Sequence, residues 1–228
     1  MKRLKTTALL DLSRTVAGEL LRDVPYPWEV LGGLCEGIRR MGRDLPQDEY
    51  REILPEVWVA TDAVVDPSAV VLGPCIVDHG AVLRPGAYLR GAAVIGKNAV
   101  VGNSTEIKNA LLFDGVQVPH YNYVGDSVLG YKAHLGAGAI CSNEKSDKSP
   151  VTVSLDGRKI PTGRKKCGAV VGDFGEVGCN SVLCPGTVIG RNATVYPLSR
   201  VRGYVPEKGI FKEPGNIIIK QNDESEES

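Results

Sequence analysis

Between residues 59 and 107 an aliphatic side chain returns at every sixth position: Val59, Val65, Val71, Val77, Leu83, Leu89, Ile95, Val101 and Ile107. Two residues before most of them stands a small one: Ala63, Ala69, Cys75, Ala81, Ala87, Ala93, Ala99 and Thr105. An amphipathic helix repeats at three and four, and a half-buried strand at two over about four to eight residues, so a strict six is neither. It combines a very short strand with a corner. In Ala99-Val100-Val101 a small and a large inward residue flank an outward one, and Gly102-Asn103-Ser104 then turns the chain. So narrow an apolar face is buried only by stacking on its neighbours, which is the logic of a solenoid.

The period continues through Leu112, Val118, Val124, Leu129 and Leu135, with two steps shortened to five, and returns at Val171, Val177, Leu183, Ile189, Val195 and Val201. Three hexads make one triangular coil, so about twenty units predict between six and seven coils, each rising roughly 4.8 Å. Residues 142–166 abandon the period and carry Lys145, Lys148, Arg158, Lys159, Arg164, Lys165 and Lys166. A loop of that length inside a repeat array is usually functional or disordered. Ahead of the array, residues 7–22 place Leu9, Leu12, Val16 and Leu20 at helical spacing, and residues 28–42 present Trp28, Leu31, Leu34, Ile38 and Met41 as one stripe. Trp28 reads as a plug over the open end of the solenoid. The expected division is a helical cap at 1–56, a β-helix at 57–205 with an inserted loop at 142–166, and a C-terminal extension with an acidic tail at 206–228.

Lys plus Arg equals Asp plus Glu at 27 each, so no global field draws the chain to nucleic acid or an anionic membrane. Anion binding has to come from a local cluster. No stretch approaches the roughly 18 apolar residues of a membrane span, and Asp11 interrupts the N-terminal apolar run too early for a signal peptide. The six cysteines form no CxxC pair and read as reduced fillers in a cytoplasmic protein.

Candidate chemistry lies where the repeat carries residues the solenoid does not require. Arg90 follows the inward Leu89 and Lys108 the inward Ile107. A uniform coil stacks the two on one corner, as a cradle for phosphate. The word HYNYVGD at 120–126 packs an imidazole, two phenols and an amide into two corners. The same shared corner is expected to bring His120 near the cation pair, if a shortened step and a subunit contact cooperate. The glycines after inward residues read as letting corners adopt positive φ.

The pattern aliphatic-Gly-x-x-small-x, as in Ile95-Gly96-Lys97-Asn98-Ala99, resembles the hexapeptide-repeat acyltransferases. That resemblance implies an all-β fold, a left-handed parallel β-helix, and a homotrimer with active sites in the clefts between subunits. Such a hand departs from the usual right-handed crossover. Within 89–143 the words LRGAAVIGKNAVVGNSTEIKNA, HYNYVGDSVLG and LGAGAICSN resemble the acetyltransferase half of the bacterial bifunctional enzymes that make UDP-N-acetylglucosamine. This closer resemblance implies acetyl transfer from acetyl-CoA to an amino sugar phosphate such as glucosamine-1-phosphate. It implies His120 as the base, Arg90 and Lys108 as ligands of the sugar phosphate, and Tyr123 as a further substrate contact. It also sets Asn143 beside the reacting amine, and Ala137 and Cys179 at the coenzyme A edge. His134 stands where that family has an asparagine, and Cys179 where it has a small hydroxyl residue.

From PTGRKKCGAVVGD onward the array looks more like the C-terminal half of sugar-1-phosphate nucleotidylyltransferases. Their transferase half needs a glycine-rich nucleotide loop, which residues 1–56 are too few and too helical to supply. A catalytically silent sugar-nucleotide or sugar-phosphate binding protein is therefore the alternative. A zinc carbonic anhydrase would need three histidines in one cleft, and His79 lies more than two coils from His120. No metal is expected.

Overall fold

The computed structural model describes residues 1–220; the acidic segment 221–228 lies outside them. Each inward aliphatic residue sits on a strand of two to four residues, and the strands stack into three parallel sheets, here faces A, B and C in the order the chain visits them. The result is an all-β, left-handed parallel β-helix with a short helical N-terminal segment. Val64 pairs with Val82 on face B, Val70 with Tyr88 on face C and Cys75 with Ala93 on face A, each one coil of eighteen residues apart. The two shortened steps give coils of seventeen, as between Glu106 and Tyr123 or Tyr123 and Ile140. Along face C the inward column is Val71, Leu89, Ile107, Val124, Cys141, Leu183 and Val201, all buried. Burying each such aliphatic side chain contributes roughly 1.5–3 kcal/mol.

Faces A and B hold nine strands each and face C seven, more than six to seven coils provide. The additional walls are those of Cys141, Val205 and Phe211, which also fill buried inward positions. Cys141 is not aliphatic and abuts the insertion, and the last coil is only sixteen residues long, from Val188 to Tyr204, so the period hides all three. Antiparallel strands close two sheet edges: Tyr50–Leu54 at the start of face A, and Asn216–Ile219 at the end of face B.

The glycine after an inward residue serves close approach rather than a left-handed backbone. A Cβ on Gly102 would lie 1.5 Å from the carbonyl oxygen of Pro119 in the next coil. Positive φ falls two residues later, at Asn98, Ser104 and Asn180.

Face A differs from the other two. Its outward side chains Ile76, Val94, Leu111, Val128, Val170 and Val188 are 0–3% exposed, clustered with Leu9, Leu10, Leu21, Trp28, Leu34 and Ile38 of the N-terminal segment. Helix Leu34–Asp44 packs on strands Cys75–Val77 and Ala93–Ile95. Farther along, Asp114 N–H donates to the Arg14 carbonyl and Asp173 N–H to the Leu9 carbonyl, both at 3.0 Å. Arg3 pairs with Asp156 beyond them. The segment is therefore a strap running down the solenoid, not a plug across its end, and Trp28 belongs to that lateral apolar layer. The helix expected over 7–22 is broken into short turns, including Thr6–Leu9, Leu12–Arg14 and Gly18–Leu21. Extended links between them dock the chain, as where Asp11 N–H donates to the Asp173 carboxylate while the Asp11 side chain caps Ser13.

The insertion is ordered. Strands Thr152–Leu155 and Arg158–Pro161 form a hairpin packed against the late strands of face A, with Val153 and Leu155 buried. Its two ends are joined where Cys167 N–H donates to the Asn143 carbonyl at 2.9 Å.

Candidate functional site

Face C is bounded by two corners, and the candidate residues divide between them. Leu89 and Ile107 pair in register, so Arg90 and Lys108, one position on, stack on the corner leading from face C to face A, as their spacing predicts. Neither cation is free. Arg90 Nε lies 3.4 Å from Glu106 Oε1, and Lys108 Nζ lies 2.9 Å from Asp126 Oδ2. Asp126 is 2% exposed and organises the corner. Its Oδ1 accepts from Asn109 Nδ2 at 2.7 Å, and its Oδ2 accepts from Asn143 Nδ2 at 2.6 Å. Arg164 of the insertion approaches Oδ1 to 3.6 Å. Burial alone would raise the Asp126 pKa, but the bonds from Asn109, Lys108 and Asn143 outweigh it and hold the carboxyl below its ordinary value.

Tyr123 links the corner to the face. Its hydroxyl accepts from Asn143 Nδ2 at 3.1 Å, and a Cβ on Gly125 would come within 2.4 Å of that oxygen, so the ring lies across a bare backbone. Burial, then the neighbouring Glu106 and Asp126 carboxylates, push the phenol pKa up.

His120 ends strand Gln117–His120 of face B, at the corner leading into face C. The expectation that it shares the corner of Arg90 and Lys108 is not met within one chain. Twelve residues are two walls of a three-walled coil, so His120 and Lys108 flank face C from opposite ends, separated by roughly 15 Å of extended chain at about 3.3 Å per residue. The imidazole is exposed, and the backbone N–H of His120 donates to Asn122 Oδ1 at 3.1 Å. Asn122 is buried and its amide donates to the Gly136 and Ala139 carbonyls of the next coil, pinning the His120 turn to the solenoid. Along the same corner Gly138 N–H donates to the His120 carbonyl and Asn180 N–H to the Ala137 carbonyl. His120, Ala137 and the exposed Cys179 thus form one column over three coils.

Asp126 and Asn122 are the site residues that sequence reasoning passes over. Asp126 had a signal: it stands seventeen residues after Asn109, one coil at this point of the array, on the corner where Lys108 stacks on Arg90. Asn122 had none beyond its place in HYNYVGD. The other histidines lie apart. His79 sits between Asp62 and Glu49, and His134 Nδ1 is 2.8 Å from Glu176 Oε2 on face B. No group of three His, Cys, Asp or Glu side chains among the described residues is arranged to hold a metal ion.

Comparison with known proteins fits this geometry into a family. A family model described as the GMPPB C-terminal domain matches residues 71–212, the solenoid from its first face C strand to its last parallel strand on face B. The chain belongs to this family. The bifunctional sugar-1-phosphate nucleotidylyltransferase/acetyltransferase of Sulfurisphaera tokodaii is 36% identical over 107 residues, which are 47% of this chain and 27% of that protein. The bifunctional protein GlmU of Methanococcus vannielii is 34% identical over 119 residues, 52% of this chain and 28% of that one. The chain therefore spans about a quarter of the length of these relatives. Among solved structures, the acetyltransferase domain of PglB from Neisseria gonorrhoeae FA1090 in complex with acetyl coenzyme A is similar at a TM-score of 0.33 and 18% identity, over 68% of this chain and 53% of that one.

Proposed function

We propose that this chain transfers the acetyl group of acetyl-CoA to the amine of a sugar phosphate, with glucosamine-1-phosphate as the first candidate. The observation that carries the reading is the division of face C: an exposed imidazole at one corner, cations and an amide arrayed on a buried carboxylate at the other, and Tyr123 between them. Relatives named as acetyltransferases support it over the part of their length that this chain spans.

Within one chain the two corners are too far apart to act on one amine. The reading therefore includes a homotrimer, in which the His120 corner of one copy faces the Lys108 corner of its neighbour and a three-fold axis makes three equal clefts. Arg90 and Lys108 hold the sugar phosphate, Tyr123 and Asn143 orient the sugar, and the thioester lies along Ala137 and Cys179. The neutral amine attacks the thioester carbonyl while His120 takes the proton leaving its nitrogen. The tetrahedral intermediate then expels the coenzyme A thiolate, which recovers that proton from the imidazolium, giving amide and free thiol. No helix among the described residues is long and apolar enough to cross a membrane, and the cytoplasm is the compartment this reading calls for.

Thiol release from acetyl-CoA, measured with glucosamine-1-phosphate and with galactosamine-1-phosphate, tests the proposal. His120→Ala should cut turnover by about a hundred- to ten-thousandfold and leave the fold of the chain unchanged, because the side chain is exposed on it. No turnover of either sugar by the parent protein would transfer the case to a sugar-phosphate binding protein without catalysis.

A further inference from the structure

The charges around the proposed phosphate site do not add up without the insertion. Arg90 is matched by Glu106 and Lys108 by Asp126, so these four groups carry no net charge. Glu144, the next carboxylate along, is taken by Lys148 at 3.0 Å. A neutral cluster built on a buried aspartate has little long-range attraction for a phosphate dianion. Among the described residues, Arg164 is the further cation within ion-pair distance of the cluster.

Arg164 is placed with some care. Its N–H donates to Thr162 Oγ1, and its carbonyl accepts from Val151 N–H at the base of the inserted hairpin. Its Nη1 occupies space beside Gly32 of the strap, where a Cβ would come within 3.3 Å. Its Nη2 lies 3.6 Å from Asp126 Oδ1, so Arg164 and Lys108 face opposite oxygens of one carboxylate. Among the described residues only Nε makes a hydrogen bond, to the Lys166 carbonyl at 3.1 Å. The outer fork of the guanidinium is left without hydrogen-bond partners, about a quarter exposed, beside a fixed lysine.

We infer that Arg164 is a third ligand of the acceptor's phosphate, and that it sets the preference for phosphorylated over unphosphorylated amino sugars. The inference rests on the phosphate-binding half of the proposed function and not on the acetyl transfer. The insertion is then an electrostatic part of the site: it brings a charge that turns the balance of these paired groups positive, in a planar fork suited to two phosphate oxygens.

Calorimetric titration of the parent, Arg164→Gln and Arg164→Lys with glucosamine-1-phosphate, inorganic phosphate and glucosamine reads this directly. The parent should bind both phosphate carriers well above glucosamine. R164Q should weaken both by roughly tenfold or more, and R164K, which keeps the charge but loses the fork, should fall between. In turnover, R164Q should raise KM for the sugar phosphate while kcat and KM for acetyl-CoA hold. Phosphate binding by R164Q equal to the parent's would overturn the inference, as would an equal loss for glucosamine. If R164Q melts far below the parent, R164K decides: affinity unchanged from the parent rejects the role. Should the parent bind phosphate but transfer no acetyl group, the reaction fails and the Arg164 site stands.

Discussion

The two corners of face C are built on opposite plans. At the corner with face A, a carboxylate 2% exposed fixes a lysine and two amides before any ligand arrives. At the corner with face B, the imidazole of His120 stands exposed and only its backbone is tied down, through Asn122. The difference separates two tasks. Groups that recognise a phosphate gain from being immobile, since less ordering remains to be done on binding. A base that serves a substrate held by another subunit gains from reach.

If that contrast is right, damage to Asp126 is felt first as lost structure. Asp126→Ala leaves Lys108, Asn109 and Asn143 without their common acceptor, and removing one member of a buried charge pair costs about 3 kcal/mol or more. Urea unfolding should show a loss of that size, where His120→Ala shows almost none. Acid sharpens the test. Because the folded pKa of Asp126 is lowered, its contribution is complete above the unfolded carboxylate range near 4 and is lost as pH falls through the folded value. The stability gap between the parent and Asp126→Asn should therefore be widest at neutral pH and close as the solution is acidified through that range. A gap independent of pH would mean that the carboxylate is not the keystone of this corner.

The corner with face B breaks through its backbone instead. A Cβ on Gly102 would overlap the Pro119 carbonyl, a main-chain atom that cannot rotate away, so Gly102→Ala must push the coil bearing His120 outward. Overpacking of this kind costs about 1–3 kcal/mol. Turnover should fall with it while phosphate titration of the Lys108 corner stays at the parent's value. Equal losses in both assays would show that the two corners are not separate units.

How legible all this was in the sequence depends on which interaction each residue serves. The inward hexads were readable because burial alone selects them. Face A's cover is harder to read, although six coils place an aliphatic residue at the outward position, Ile76, Val94, Leu111, Val128, Val170 and Val188, between Trp58 in the first coil and Tyr204 in the last. Their recurrence at seventeen or eighteen residues, broken once by the insertion, marks a face that must be covered. Helical spacing in the strap shows a buried stripe but not its partner, so the sequence alone does not tell whether Trp28 covers an end or a side. At the site, counting by eighteen stacks Arg90 on Lys108; the next coil is one residue shorter, so that Gly125 follows Lys108 in register and Asp126 follows Asn109. Reading the corner for cations only missed the carboxylate, because a phosphate site is not expected to hold one. The displacement of His120 follows from twelve being two walls of three.

The smallest change concerns the residue lying between the corners. Tyr123→Phe removes the hydroxyl that accepts from Asn143, but Asn143 keeps its shorter bond to Asp126 at 2.6 Å and so stays oriented. The loss should be that of one ordinary hydrogen bond, about 0.5–1.5 kcal/mol, read as a severalfold rise in KM for the sugar phosphate with kcat nearly unchanged. The phenol's raised pKa keeps it protonated through the neutral range, so its removal should leave the pH profile of turnover between 6 and 9 unmoved. A hundredfold drop in kcat, or a displaced profile, would place Tyr123 in the proton path. The base would then no longer be confined to the His120 corner, and the separation of binding from chemistry across face C would give way to a single shared centre.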